Sequence, residues 1–96
     1  MNGKIDEAVA ALNARMTGAP MEGSAKFVVP GEGAIIVDGS GARASDEAAD
    51  VTLTADAEVF RAIIQGDVDP AGAYLRGKLS VEGDVSVAMR LGRVLG

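Results

Sequence analysis

The side chains of this sequence able to do chemistry are carboxylates, a few cations and one glycine-rich turn. It contains no histidine and no cysteine. The commonest general base and the commonest metal ligand are therefore missing. No disulfide, thiolate nucleophile or cysteine-based metal site is available. Asp46, Glu47 and Asp50 form one acidic run, and Asp67 and Asp69 another. Both have the charge for Ca²⁺, but neither has the ligand spacing of a calcium-binding loop. As general acid and base they would need a pocket that splits their pKa values, and the sequence around them builds none. They read as solvated loop carboxylates, and no catalytic residue or metal ligand is expected. Gly39-Ser40-Gly41-Ala42-Arg43-Ala44 fits the pattern G-x-G-x-x-A. A dinucleotide site needs a helix to open there inside a parallel βαβ unit. An acidic stretch follows instead, so the pattern reads as a turn and no cofactor is expected. Arg76, Lys78 and Arg90 could meet a carboxylate or phosphate, or serve equally as solvated surface cations. The Tyr74 hydroxyl has the same two readings, a polar ligand group or a backbone partner.

With catalysis short of parts, composition bounds the rest. Ninety-six residues suit one domain, residues 1–96. The net charge of −5 argues against nucleic acid and against anionic membranes. No stretch approaches the roughly 18 consecutive apolar residues of a membrane span. The N-terminus has no basic start followed by an apolar run, so no secretion signal is read and a cytoplasmic protein is expected. Aromatics make up only 3% of a chain that is 48% hydrophobic. Core bulk must come from aliphatics and alanines. Such a mixture packs tightly or leaves a void, depending on how its elements meet.

The elements that position these residues follow from periodicity. A helix is expected over 4–16, with Ile5, Val9, Leu12 and Met16 on one face, Asn2 as cap, and Gly18 and Pro20 ending it. Ala25–Val29 and Ala34–Asp38 read as a hairpin about Pro30-Gly31-Glu32-Gly33. Ala42–Ala44 reads as a short further strand, and Ser45–Ala49 as an exposed acidic loop. Val51, Leu53 and Ala55 alternate with threonines in a half-buried strand. Thr54 is placed to cap a helix carrying Val59, Phe60, Ile63 and Ile64 and ending at Gly66. Asp69-Pro70 opens a short helix with Tyr74 and Leu75, followed by a strand over 78–82. Gly83-Asp84 then turns into a last helix. There Ser86, Arg90 and Arg93 make one narrow polar stripe, and Val85, Val87, Ala88, Met89, Leu91, Val94 and Leu95 cover the rest. That apolar surface is broader than a small domain needs, so this helix plugs the core or faces something apolar that is not protein. The order α β β β β α α β α indicates an α+β domain, a mostly antiparallel sheet with helices on one face.

The stretch Ala73-Tyr74-Leu75-Arg76-Gly77-Lys78-Leu79-Ser80-Val81-Glu82-Gly83-Asp84, continuing into Val87-Ala88-Met89-Arg90-Leu91, resembles the sterol carrier protein 2 family. Its members carry an aromatic, then Gly-Lys-Leu, a strand, Gly followed by Asn or Asp, and an Ala-Met-basic-Leu helix. Asp50–Thr54 and Phe60–Gly66 resemble the strand and helix ahead of that motif. The detailed likeness covers residues 50–91, and the order of elements agrees over essentially the whole chain. Two features differ: the first helix is short, and Arg76 stands where Gln is common. The resemblance implies a five-stranded sheet, a hydrophobic tunnel between sheet and helices, and a free-standing, non-catalytic carrier. Its ligand would be a fatty acid, fatty acyl-CoA, phospholipid or sterol-like lipid.

Phe60, Ile63, Ile64, Tyr74, Leu75, Val85, Ala88, Met89 and Leu91 are the candidate lining, with Arg76, Lys78 and Arg90 as head-group candidates. A core face and a tunnel face look alike in sequence, so each lining residue also reads as ordinary core. An arginine at Met89 is expected to abolish lipid binding and, as a buried unpaired charge, to destabilise the fold. The alternative function is an interaction module, or an acyl-presenting accessory subunit. It would use the apolar last helix to dock on a second copy of the chain or on a partner enzyme.

Overall fold

The computed structural model describes residues 3–15 and 22–95. The elements run α1 (Gly3–Arg15), β1 (Ala25–Val29), β2 (Gly33–Asp38), β3 (Gly41–Ala44), β4 (Val51–Thr54), α2 (Ala57–Gln65), α3 (Pro70–Leu75), β5 (Ser80–Gly83) and α4 (Val85–Leu95). Asn2, Met16, Gly18 and Pro20, expected to bound or extend the first helix, lie outside the described residues. The five strands form one sheet in the order β3-β2-β1-β4-β5. Three of its pairings are antiparallel, and the central pair, β1 with β4, is parallel.

Alternation places the core on one face of this sheet. Ala25, Phe27 and Val29 of β1 point the same way as Ile35 and Val37 of β2 and Val51 and Leu53 of β4, and all are buried. Ile5 and Leu12 of α1, Phe60, Ile63 and Ile64 of α2, and Val87 and Leu91 of α4 close over them. The rings of Phe27 and Phe60 stack with centroids 4.8 Å apart and planes 3° from parallel. Two side chains of α1 fix its position. The Asn13 amide donates to the Ala42 carbonyl at 3.0 Å and accepts from the Ala42 N–H at 2.8 Å, extending the β3 edge. Arg15 Nε donates to the Ile64 carbonyl at 2.7 Å, placing a cation at the C-terminal end of α2.

The other face of the sheet is not bare. Ile36 points into it and is buried, flanked in register by Lys26 and Arg43. The segment from Ser45 to Asp50 crosses this face on its way from β3 to β4. Asp46 accepts from Lys26 Nζ at 3.0 Å, and Glu47 and Asp38 hold the Arg43 guanidinium between them. The acidic stretch is exposed, as read from the sequence, and it straps this face through the two cations that flank Ile36.

Two helix starts differ in how they are capped. The N-cap of α2 is Asp56, without a side-chain cap bond, and not Thr54, which is the last residue of β4. Ala55 intervenes, and its N–H donates to the Val28 carbonyl, so the strand-like path runs one residue further before the helix opens. At α4, Asp84 accepts from the Ser86 N–H at 3.0 Å and the Ser86 hydroxyl at 2.6 Å. The β5–α4 turn is tight because Gly83 adopts φ +106° and presses on β4. A Cβ there would lie 2.5 Å from the Asp50 carbonyl oxygen and 3.1 Å from Val51 Cα.

Two outcomes are expected. Gly83→Ala strains the backbone and pushes against a strand that cannot retreat without breaking β4–β5 pairing. It should destabilise the protein by well over about 1 kcal/mol in urea unfolding; an unchanged midpoint would mean that the turn relaxes freely. Acid unfolding reads the carboxylates. Asp38 is held below its ordinary pKa by the Arg43 side chain and then by the Ser40 N–H. Glu47 is lowered by Ser45 and Arg43, and Asp84 by the Ser86 hydroxyl and N–H. Each binds fewer protons folded than unfolded, so each contributes stability above the unfolded pKa of about 4 that disappears as pH falls through the lower folded value. Stability should therefore fall between about pH 5 and pH 2. Arg43→Gln should flatten that fall, and an identical pH profile would assign the slope elsewhere.

Candidate functional site

The helices do not close evenly over the core face. Between α2, α3 and α4 above and β4 and β5 below lies a cavity of about 550 Å³. Its shape follows from local sequence. On α4, Val87 and Leu91 point into the core, Ser86 and Arg90 point to solvent, and Val85, Ala88 and Met89 face the cavity. A side-chain repeat of three to four residues divides one helix among these three environments. On β4 and β5, Leu53 and Val81 are register partners and floor the cavity together. Leu79, just ahead of β5, completes the floor. Phe60 and Ile63 come from α2, and Leu91 extends from the core into the lining.

α3 shapes the rim. Asp69 caps it, accepting from the Gly72 N–H at 3.3 Å, and Pro70 occupies its first turn. Pro70 and Gly92 meet at this rim, where a Cβ on Gly92 would stand 3.9 Å from the proline ring. Asp69 is the one charged residue of the described lining, and its carboxylate is turned toward the helix backbone. Tyr74, Val85 and Met89 line the cavity yet remain 54%, 58% and 58% exposed, so the apolar mouth is open to water.

Of the nine residues expected in the lining, Phe60, Ile63, Tyr74, Val85, Ala88, Met89 and Leu91 meet around this space. Two do not. Ile64 projects from the other side of α2 into a smaller cavity of about 170 Å³ between α1 and α2. Leu75, 82% exposed, lines neither cavity. α3 ends at Leu75, and the side chain after Tyr74 turns away from the space that Tyr74 borders. Arg76, Lys78 and Arg90 are exposed and line neither cavity. Sequence reasoning passed over Leu53, Leu79 and Val81. Their alternation marks them as inward-facing, but the part of the sheet face left uncovered depends on where α3 sits. Of the carboxylate runs only Asp69 borders this cavity; Asp46, Glu47, Asp50, Asp67 and the Gly39–Ala44 turn do not line it, and no cluster of potential metal ligands occurs among the described residues. No helix of the described residues is long and apolar enough to cross a membrane.

An open apolar cavity between a mixed five-stranded sheet and its last helices is the geometry to compare with known proteins. The family model of the SCP-2 sterol transfer family matches residues 2–96. The chain belongs to that family. The fold agrees in detail with solved members. A sterol carrier protein 2 of Aedes aegypti, in complex with the C16 fatty acid palmitate, superposes with a TM-score of 0.78 at 25% identity. That match covers 100% of this chain and 97% of that one. A sterol carrier protein domain of Helicoverpa armigera gives 0.76 at 24% identity over 96% of this chain and 85% of that one. A palmitated second sterol carrier-like protein of Aedes aegypti gives 0.70 at 23% identity over 99% and 95%. No curated protein matches the chain.

The mouth position of Met89 changes the expectation for an arginine there. A side chain 58% exposed carries its charge into water. Met89→Arg should therefore leave stability within about 0.5 kcal/mol. Leu91→Arg, two residues on and 2% exposed, should unfold the domain or nearly so, because its charge has no partner in the core. Comparing urea midpoints of the two variants tests the division of α4 between mouth and core. Equal losses would contradict it.

Proposed function

We propose that this protein is a non-catalytic lipid carrier that holds an acyl chain in the cavity between α2, α3, α4 and strands β4 and β5. The observation that carries this reading is the apolar cavity of about 550 Å³, open through Tyr74, Val85 and Met89, in a chain of a sterol transfer family. That volume lies within the usual range of small-ligand sites. The similar Aedes aegypti protein was solved with palmitate bound. Binding needs no specific polar contact. Each methylene moved from water contributes about 0.8 kcal/mol, so a dozen supply about 9 kcal/mol before ordering costs. Fatty acid, fatty acyl-CoA or phospholipid fits this chemistry, with the polar group left at the wet mouth. Arg76, Lys78 and Arg90, on the segments flanking that mouth, are the cations we assign to a carboxylate or phosphate.

One observation favours a second reading. Tyr74, Val85 and Met89 form an exposed apolar group at the mouth, as expected of a surface that docks on a second copy or on an acyl-processing partner enzyme. Analytical ultracentrifugation tests the self-docking form of this reading, which requires a dimer; a monomer leaves the carrier and the partner-enzyme forms, which the lipid-binding measurements below address.

Native mass spectrometry of freshly purified protein, with organic extraction, should reveal an acyl lipid. Titration with a fluorescent fatty acid should saturate at one equivalent per chain. Ala88→Phe, which fills the cavity from α4, should keep the fold by circular dichroism and weaken that binding at least tenfold. Saturable binding absent from the unmodified protein, with no co-purified lipid, would overturn the carrier reading.

A further inference from the structure

The two cavities of this protein share one wall. Among the described residues, Phe60 is the only one that lines both the larger cavity and the smaller one between α1 and α2. The helical repeat explains this. Ile63, three residues on, faces the larger space, and Ile64, four residues on, faces the smaller. Phe60 lies between them on the α2 surface. Its ring is 3% exposed and pinned face to face on Phe27 of the sheet. It is held from below as well as from its own helix. Beyond it, Ile5, Ala8, Ala11, Val29 and Ile64 make an apolar interior, and Lys4, Glu7, Arg61 and Gln65 form a polar rim. Glu7 and Arg61 pair across that rim at 3.4 Å, joining α1 to α2. The smaller cavity is thus an apolar space that shares the Phe60 wall with the larger one and is bounded outward by charge.

We propose that Phe60 is the end wall that sets the length of acyl chain this protein accepts, and that the α1–α2 cavity is the space a longer chain would occupy without it. The inference rests on the carrier reading above. An unbranched saturated tail entering past Met89 gains affinity with each methylene until it meets the ring. Further methylenes find no apolar surface on the near side and must bend back or stay in water. A stacked ring suits this role better than an aliphatic side chain, because it is flat, rigid and clamped by its partner. The alanines behind it leave the smaller space open.

The test is a competition series of saturated fatty acids from octanoate to behenate against a fluorescent fatty acid, read on the unmodified protein and on Phe60→Ala and Phe60→Leu. For the unmodified protein, affinity should rise about fourfold per methylene up to a limiting length and then level off. In Phe60→Ala the limit should move to longer chains. Phe60→Leu should shift it less. Adding Ala8→Phe, which fills the smaller cavity from α1, should return the limit of Phe60→Ala toward that of the unmodified protein. An unmoved limit in a folded Phe60→Ala that still binds the shorter acids overturns the inference and leaves the carrier reading intact. Absence of fatty-acid binding by the unmodified protein overturns both. A second measurement needs no variant. A fatty acid of the limiting length, with a diazirine at its terminal carbon, should photolabel Phe60 or Ile63, and labelling of Ile5 or Ala11 would show that no wall exists.

Discussion

The stack of Phe27 on Phe60 is the contact on which the rest of this structure depends. They are the chain's two phenylalanines, and the fold spends both on one joint. Phe27 sits in the middle of β1, the central strand of the sheet, and Phe60 in the first half of α2. A pair of this kind adds about 0.5–1.5 kcal/mol beyond its buried area. Its larger effect is geometric. It fixes the height at which α2 rides over the sheet, and with that the space left on either side. With few other large side chains, the alanine-rich helices cannot fill what the rings hold apart. Leu12, Ile35, Val51 and Leu91 pack the core around the joint.

Much of the fold was legible because periodicity and turn chemistry agree at most points. The β1–β2 hairpin follows from β-branched runs on both sides of a Pro-Gly turn, and Asp69-Pro70 announces α3 by cap and first-turn proline. The family likeness over residues 50–91 supplied the tunnel, which periodicity alone does not specify. What stayed hidden was tertiary. Thr54 and Asp56 are both good caps, and only the extension of the strand path past Thr54 selects Asp56. Ser45–Asp50 carries the composition of a free loop, and its role as a strap comes from Ile36 facing outward between Lys26 and Arg43, which needs the register of three strands.

The site was legible in outline for the same reason. The unusually apolar surface of α4 has two uses at once. Val87 and Leu91 seat the helix, while Val85, Ala88 and Met89 border open space. Sequence offers no way to separate those sets, because hydrophobicity reports avoidance of water and not the presence of a neighbour. Ile63 and Ile64 make the point most sharply. They are identical, adjacent and equally buried, yet they face different cavities on opposite sides of one ring. Tyr74 and Leu75 are a similar adjacent pair, one bordering the cavity and one turned to solvent.

The parallel pairing of β1 with β4 has a consequence for the order in which the chain is made. β1 finds its antiparallel partner β2 within a few residues, and β3 follows at once. The other edge of β1 waits until residues 51–54 have left the ribosome, and with it waits the apolar underside carrying Phe27 and Val29. A nascent chain ending before β4 is thus a three-stranded meander with a bare, hydrophobic edge, the kind of template to which other chains add. The strap between β3 and β4 is short and charged, and it carries the late strand directly across the sheet to that edge. In the finished protein it pins the two cations that flank one buried isoleucine; during synthesis it limits how long the most adhesive edge of the sheet stays open.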